Sequence, residues 1–496
     1  MTVELAYLGR ALRLSPAVYG ELFHDTCTVI RMENVVEWKT ERDAMTGEER
    51  TYPVRTRKPV PVPLFWYADG KDDSKFFCTY AGYGPRLEAM LRRQGLEVEV
   101  RDLVSDGLPA PDLTKIADVV WRPKQAAVFA RLLAHKRGRI VCPTAFGKTY
   151  IAKQLAKVYP KSEIILTVPY QDVAKDIYKD LVMQLGPQTV GLVGAGKMNP
   201  KRLTVAVSHS LHHCPKDASI ILADECHALM TDHFIKLLNR FYRARLFGFT
   251  ATPKGRSDRA DALGEAVFGP VLVDISYQEG VDAGNIVPIK VRMFRSEVGP
   301  DVAAVADKNK AKADRLGLWL NMARNGLIAK SVRAVEKELG PDAQILVVVD
   351  KTEHAYAMGQ LLPDYAVVSG EPTPDRVKQM LKRGAMLPTQ AICTQAMRDH
   401  YRTEFEANRL KRVICTKVWR QGVDFRDLAC LVRADGTASP IDSGQVPGRL
   451  SRLGRETEKS HGLLLDFYDT FSSNLESRSK QRVTVYRKNK WSIENR

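Results

Sequence analysis

The chain has 496 residues, 44% hydrophobic and 27% charged, the balance of an ordinary globular protein with room for two to four domains at roughly 150 residues each. A disulfide-stapled mini-domain, a repeat fibre and a disordered chain are excluded. Lys and Arg number 75 against 58 Asp and Glu, a net charge of +17 that favours a polyanionic partner, nucleic acid before an anionic membrane.

The longest purely aliphatic runs, such as 345–349, fall far short of the ~18 to 20 apolar residues that span a bilayer, so no membrane partner is expected. Glu4, Arg10 and Arg13 interrupt what would have to be the apolar core of a signal peptide, and a cytoplasmic location is expected. Residues 1–112 carry short β-branched and aromatic runs at 28–32, 61–67 and 75–83, a short helix at 85–94 with Leu87 and Leu91 one turn apart, and an alternating strand at 96–100. That pattern predicts a small α+β accessory domain, with 105–112 as its linker. Arg55, Arg57 and Lys58 precede Phe65-Trp66-Tyr67, a composition suited to phosphate contact and base stacking, so this domain is expected to bind DNA.

From Trp121 onward, short apolar runs alternate with amphipathic helical stretches, the pattern of parallel sheets covered by helices on both faces. Strands are expected at 139–142, 163–168, 203–207, 219–223 and 246–249, then at 344–349, 365–368, 412–415, 428–432 and 462–467. Two α/β domains in tandem follow, 113–285 and 286–472, with 473–496 as a basic tail in which Tyr486 and Trp491 are interleaved with Lys and Arg. The eight cysteines form no C-x-x-C pair, and reduced, mostly buried thiols are expected. His212, His213, Cys214, Cys226 and His227 lack the spacing that closes a tetrahedral zinc site.

Between the strand ending near Cys142 and a helix starting near Lys148 lies Cys142-Pro143-Thr144-Ala145-Phe146-Gly147-Lys148-Thr149, a P-loop-like segment with Cys142 where the general motif has Gly. Its backbone N–H groups and the helix N-terminus can cradle phosphates, Lys148 can reach the β and γ phosphates, and the Thr149 hydroxyl can bind Mg2+. A further apolar strand runs into Asp224-Glu225-Cys226-His227, placing two carboxylates at the C-terminal end of a parallel strand, where ligands of such sheets bind. Asp224 would hold the metal and Glu225 would polarise the attacking water. Thr250-Ala251-Thr252-Pro253 follows a third strand, with hydroxyls that can bond to the Asp224-Glu225 turn. In the second half, Thr416 with Gly422-Val423-Asp424 follows a strand, and Gln445 to Arg452 begins a helix that puts Arg449 and Arg452 on one face.

This ordered set, C-P-T-A-F-G-K-T, D-E-C-H, T-A-T, T-x5-G-V-D and Q-x-x-G-R-x-x-R, resembles the superfamily-2 helicases and translocases over roughly 121–469. The resemblance implies two tandem RecA-like, doubly wound domains, an ATP-hydrolysing enzyme, and ATP with Mg2+ as cofactors. It carries Arg122 and Gln125 over as adenine contacts, the loop 143–149 with Gly422 and Asp424 as nucleotide contacts, and Thr149 and Asp224 as metal ligands. Gln445, Arg449 and Arg452 match the motif whose arginines act as fingers on the γ-phosphate, a role worth roughly 10^3 to 10^5 in rate. The motif details are unlike RNA-unwinding DEAD-box proteins and resemble the UvsW type of phage recombination helicase, which implies translocation along DNA with branch migration of junctions, forks or R-loops.

Pro169 and Tyr170, with Ser208 and Ser210, resemble that family's backbone-contacting motifs, and Thr394 and Thr416 are the candidates in the second domain. Hydroxyl and N–H contacts to phosphate position a strand without reading it, so sequence-independent binding of DNA, branched or forked, is expected. Two other readings fit the same motifs: the motor subunit of a restriction or remodelling complex, and a nucleic-acid-binding or annealing protein whose ATPase fold is structural.

Overall fold

Alternation of apolar and polar residues in the first strands turns Val3, Leu5, Leu12 and Leu14 to one side, and that side is where the amino-terminal sheet buries its core. The computed structural model describes residues 2–42, 49–69, 75–251, 260–296, 314–416, 419, 425–438, 447–454 and 459–496. Gly422, Val423, Asp424, Gln445, Thr252 and Pro253 lie outside them. The first strands are β1 (Thr2–Leu8), β2 (Ala11–Ser15), the hairpin β3 (Thr28–Arg42) and β4 (Glu49–Pro63), β5 (Phe65–Asp69), β6 (Lys75–Tyr80) and β7 (Glu97–Asp102). Five of them form a sheet in the order β5-β6-β2-β1-β7, β7 running parallel to β1 after the helix Gly84–Arg93, whose Leu87 and Leu91 are buried. The backbone of Arg55, Arg57 and Lys58 lies in β4, paired with Val36, Asn34 and Glu33 of β3.

This sheet does not end in its own core. Its buried side chains are continuous with Ile221, Phe241, Leu246 and Phe268 of the next domain. Arg10 Nη2 donates to the Phe241 carbonyl at 2.7 Å, Arg86 pairs with Glu265 at 2.7 Å, and in the segment after β7, Asp106 pairs with Arg245 at 2.8 Å.

The next sheet contains β8 (Arg137–Val141), β9 (Ile164–Val168), β10 (Val190–Gly194), β11 (Lys197–Asn199), β12 (Leu203–Val207), β13 (Ile220–Ala223), β14 (Arg245–Thr250) and β15 (Val271–Asp274), in the order β11-β10-β12-β9-β13-β14-β8-β15. All its pairs are parallel except β10 with β11. Central strands such as β9 and β12 are buried on both faces, which is why they read as unbroken apolar runs. The following sheet contains β16 (Ile289–Ser296), β17 (Gln344–Val348), β18 (Ala366–Val368), β19 (Arg412–Cys415), β20 (Leu428–Arg433), β21 (Gly462–Asp469) and β22 (Ser492–Asn495), all parallel, in the order β18-β19-β17-β20-β21-β16-β22. Among the described residues no helix is long and apolar enough to cross a membrane.

The segment expected as a basic tail is built into this last sheet. Ser472 caps the helix Ser473–Lys488, and β22 pairs with β16. Tyr486 is fully buried, donates to Asp466 Oδ2 at 2.6 Å and stacks on the buried Trp491. Neither ring is available to stack on a base. The charge density misleads because Arg482 faces inward, pairing with Asp466 at 2.9 Å. Arg324 with Asp469 and Arg433 with Asp435 complete a buried ionic cluster, so truncating one partner would strand a charge, at roughly 3–5 kcal/mol.

Beside that cluster the buried His354 is held neutral. Asn325 Nδ2 donates to the Trp319 carbonyl, so Asn325 Oδ1 is left to accept from His354 Nε2 at 3.1 Å. Burial, with Arg324 nearby, pushes the imidazole down to about 3. A base whose folded pKa lies below the ~6.5 of the unfolded chain stabilises the fold above pH 6.5 and loses that contribution as pH falls toward 3. Wild type is expected to lose about 2–3 kcal/mol between pH 6.5 and 4.5 from this group. His354→Gln should remove most of that slope in urea melts; an unchanged slope would refute the assignment.

Candidate nucleotide and nucleic-acid sites

β8 ends at Val141, and the Cys142 N–H continues the ladder to the Thr250 carbonyl at 3.0 Å. The chain then turns through a loop anchored by the fully buried Phe146, with Ala145 at φ +70° and Gly147 at φ +97°. These turns deliver Lys148 to the first position of the helix Lys148–Val158, where N–H groups and the helix dipole favour a phosphate.

Gln125 braces the loop from below. It is 2% exposed, donates from Nε2 to the Phe146 carbonyl at 2.8 Å and accepts at Oε1 from the Arg122 N–H at 3.1 Å. Both ends of the amide expected to contact adenine are thus engaged with the protein backbone. A Cβ on Gly147 would stand 2.5 Å from Gln125 Nε2, in a backbone conformation that L side chains rarely adopt. Gly147→Ala is therefore expected to weaken ATP binding at least about tenfold, since ~1.4 kcal/mol of distortion suffices. Calorimetric titration checks this, and unchanged affinity would show that the loop tolerates the side chain.

Lys148 Nζ stands 2.6 Å from Asp224 Oδ1 and 3.2 Å from Glu225 Oε1 at the end of β13. Burial alone would depress the ammonium, but the two carboxylates outweigh it and hold Lys148 above the usual lysine range. Burial raises the Glu225 carboxyl above the usual carboxylate range, opposed by the Lys148 ammonium. Glu225 also sits at φ +48°, a left-handed conformation costly for a residue with a side chain, and its N–H donates to Asp224 Oδ1 at 2.9 Å. Thr250 reaches one step beyond the expected acidic turn: its Oγ1 lies 2.9 Å from His227 Nδ1, which stands 3.5 Å from Glu225 Oε2.

The donor set fits the implied cofactors. Lys148 supplies a positive charge at the helix start, while Asp224 and the part-exposed Thr149 supply hard oxygen donors of the kind Mg2+ prefers. ATP, when bound, supplies the phosphoryl group, and Mg2+ offsets its charge.

The last motif reaches this loop from the second sheet. A Cβ on Gly448 would stand 3.4 Å from Thr144 Oγ1, and the Ser451 carbonyl accepts from the Val287 N–H at 2.8 Å. The expected helix stops early. Arg449–Ser451 is a single 3-10 turn, and Arg452, at φ −68° and ψ 141°, has already left it, so the two arginines do not share a helical face. Arg449 is buried, donates to the Trp419 carbonyl at 2.6 Å and lies over the Phe425 ring. Burial pushes its pKa down to about 10.

On the nucleic-acid side, Pro169, Tyr170, Ser208 and His209 line a cleft of about 250 Å3 at the ends of β9 and β12. Ser210 does not join them in the open. It is buried, with its Oγ packed 3.0 Å from where a Cβ on Gly194 would stand, because the 3-10 turn Ser208–His213 rotates it inward. Thr394 Oγ1 caps the helix Gln395–Glu406, accepting from the Met397 N–H, and Thr416 is buried at the end of β19. Sequence reading missed three cross-element pairs that lack a motif: Lys124 with Glu279, Asn285 Nδ2 with the Pro123 carbonyl at 3.2 Å, and Arg402 with Asp176 at 2.7 Å, which joins the helix Gln395–Glu406 to the helix Gln171–Leu185. Each depends on residues brought together only by the fold.

Residues 118–255 match a family model described as the res subunit of Type III restriction enzymes. DNA 3'-5' translocase XPB2 of Sulfurisphaera tokodaii is 24% identical over 383 residues, covering 73% of this chain and 84% of that protein. A putative HsdR subunit fragment of a type I restriction enzyme from Vibrio vulnificus aligns at TM-score 0.54 and 18% identity over 94% of this chain and 92% of that one. Dbp5 of S. cerevisiae, bound to RNA and ADP BeF3, aligns at TM-score 0.52 and 16% identity over 79% of this chain and 94% of that one. These likenesses establish the tandem RecA-like fold.

Proposed function

We propose that this chain, a superfamily-2 helicase/translocase and an ATP-hydrolysing enzyme, moves along DNA and uses that movement to remodel branched DNA in recombination, repair or replication. The observation that carries the reading is the meeting of Lys148, Asp224 and Glu225 with the Gly448 end of the arginine motif at one loop, across two domains. Such a site can couple hydrolysis to domain movement, because the groups that stabilise the transition state come from both sides. Asp224 and Thr149 would hold Mg2+, Lys148 would bind the β and γ phosphates, Glu225 would take a proton from the attacking water, and Arg449 would turn from Trp419 toward the γ-phosphate.

Tyr170, Ser208 and Thr394 would track one strand by its phosphates, and the net charge of +17 would add sequence-independent affinity. XPB2 carries a 3'-5' direction in its name, and we propose the same polarity here. The eight cysteines are all buried and unpaired, which suits a reducing, cytoplasmic compartment.

The match of residues 118–255 to the res subunit of Type III restriction enzymes favours one other reading, a motor that needs a partner for its output. Two substrates separate them. Displacement of a triplex-forming strand from linear DNA reports translocation on either reading. ATP-driven conversion of a four-way junction by the purified chain reports remodelling without a partner. Displacement without junction conversion would favour the partner-dependent motor, and neither activity, with ATP hydrolysis unaffected by DNA, would refute both.

A further inference from the structure

The second RecA-like sheet holds a cleft that the ATP chemistry does not use. It opens at the C-terminal ends of the neighbouring strands β17 and β19, has a volume of about 370 Å3, and is lined by Arg315, Trp319, Lys351, Thr352, Arg376 and Thr416 among others. Its place repeats that of the first cleft. In the first domain, β9 and β12 carry the cleft beside β13 and its carboxylates; in the second, β17 and β19 carry it beside β20, which leads toward the arginine motif. The pair between Arg402 and Asp176 joins helices that begin just after Thr394 and just after Tyr170, tying the two domains together beside the first cleft.

Its charge is sorted by depth. Glu353 is almost fully buried and pairs with Arg315 at 3.5 Å, and Asp350 pairs with Lys351 at 3.4 Å with little of its side chain exposed. The cations are outside: the Arg315 and Lys351 side chains are 40% and 41% exposed, and Arg376 is exposed as well. The buried acids pair with Arg315 Nε and Lys351 Nζ, and with Arg376 the cations on the solvent side outnumber them. Trp319 stands among these cations, with the Arg315 guanidinium carbon 6.0 Å and Lys351 Nζ 5.7 Å from its ring centroid. The ring is pre-positioned: it is partly buried against Leu318, Phe471 and Leu475, and its carbonyl accepts from Asn325 Nδ2 at 3.1 Å. An indole fixed within a cluster of exposed cations is what a nucleotide unit requires, a stacking plane for the base and charge for its phosphates. The volume falls in the ~300–1,000 Å3 range of small-ligand sites, too large for an ion and too small for a duplex.

We propose that this cleft holds one nucleotide unit of a single-stranded DNA segment, with the base stacked on Trp319 and the flanking phosphates on Arg315, Lys351 and Arg376. The inference rests on the reading of the chain as a DNA motor and adds to it a base-contacting stop in the second domain.

The test compares the full-length chain with Trp319→Ala, Trp319→Phe and the double variant Lys351→Ala/Arg376→Ala, titrated against labelled oligothymidine and an abasic strand of the same length. Wild type should prefer oligothymidine roughly 5- to 100-fold, the value of one stacked base. Trp319→Ala should lose that preference and Trp319→Phe should keep most of it. The double variant should weaken both strands and flatten the logarithmic salt slope by about 1.4, for two phosphate contacts on a single strand. If Trp319→Ala melts early, the fluorescence of Trp319, taken as the difference between wild type and Trp319→Phe, should be quenched by oligothymidine and not by the abasic strand. A folded Trp319→Ala with its preference intact, an unquenched Trp319 signal, or an unchanged salt slope would overturn this site while leaving the motor reading in place. Wild type that binds neither strand would overturn the motor reading first and this site with it.

Discussion

Glu225→Gln is expected to cut ATP turnover on the order of 10^2- to 10^4-fold, the range supplied by a positioned base, and Lys148→Ala on the order of 10^2- to 10^3-fold, the range of one donor aimed at the developing charge. They should fail differently. Glu225→Gln keeps the shape of the side chain and leaves Asp224 beside Lys148 at 2.6 Å, so ATP and Mg2+ should still bind and hydrolysis alone should stop. Lys148→Ala removes the cation that the two carboxylates share, so it should weaken nucleotide binding as well as turnover. It should also raise the pH at which Glu225 ionises, because burial then acts on that carboxyl with no lysine opposing it. Steady-state ATPase with calorimetric ATP titration reads both effects, and wild-type turnover in either variant would refute the assignment.

Arg449→Ala is expected to lower the DNA-stimulated ATPase rate roughly 10^3-fold while leaving ATP affinity within a few-fold of wild type. The arginine now donates to the Trp419 carbonyl, inside its own domain, while the adjacent Gly448 already abuts Thr144 of the phosphate loop. A side-chain swing would bring the guanidinium to the loop, and DNA held by both domains would favour the closed arrangement in which that swing is productive. Arg449→Lys should rescue little, because the ammonium lacks the planar fork that suits phosphate. Equal stimulation in wild type and Arg449→Ala would show that the finger lies elsewhere.

Long apolar strands were legible in the sequence because β9, β12, β13 and β17 are buried on both faces and carry no competing pattern. β10 was not, since Gly191 and Gly194 make Val190–Gly194 read as a turn. β16 alternates apolar and basic residues at a sheet position next to the edge strand β22, so it never shows a continuous apolar run. The carboxyl-terminal segment misled for a similar reason. Its helix packs through Leu475, Ser479, Arg482 and Tyr486, a helical spacing in which three of four members are polar and are satisfied only by residues such as Asp466, Asp469 and Phe467.

At the candidate site, motif residues were legible because phosphate chemistry restricts which side chains can follow a strand, and Lys148, Asp224 and Glu225 do converge. The left-handed backbone of Glu225 and the inward rotation of Ser210 were not, because both are set by turn geometry that residue type alone does not encode.

A gel assay with a labelled synthetic four-way junction, wild type beside Glu225→Gln, tests most directly whether ATP hydrolysis between the two RecA-like domains is spent on moving branched DNA. Wild type with ATP and Mg2+ should convert the junction into two-armed products, and a non-hydrolysable ATP analogue should not replace ATP. Glu225→Gln should bind the junction and leave it intact. Conversion by Glu225→Gln, or by wild type without ATP, would show that ATP hydrolysis does not drive the remodelling.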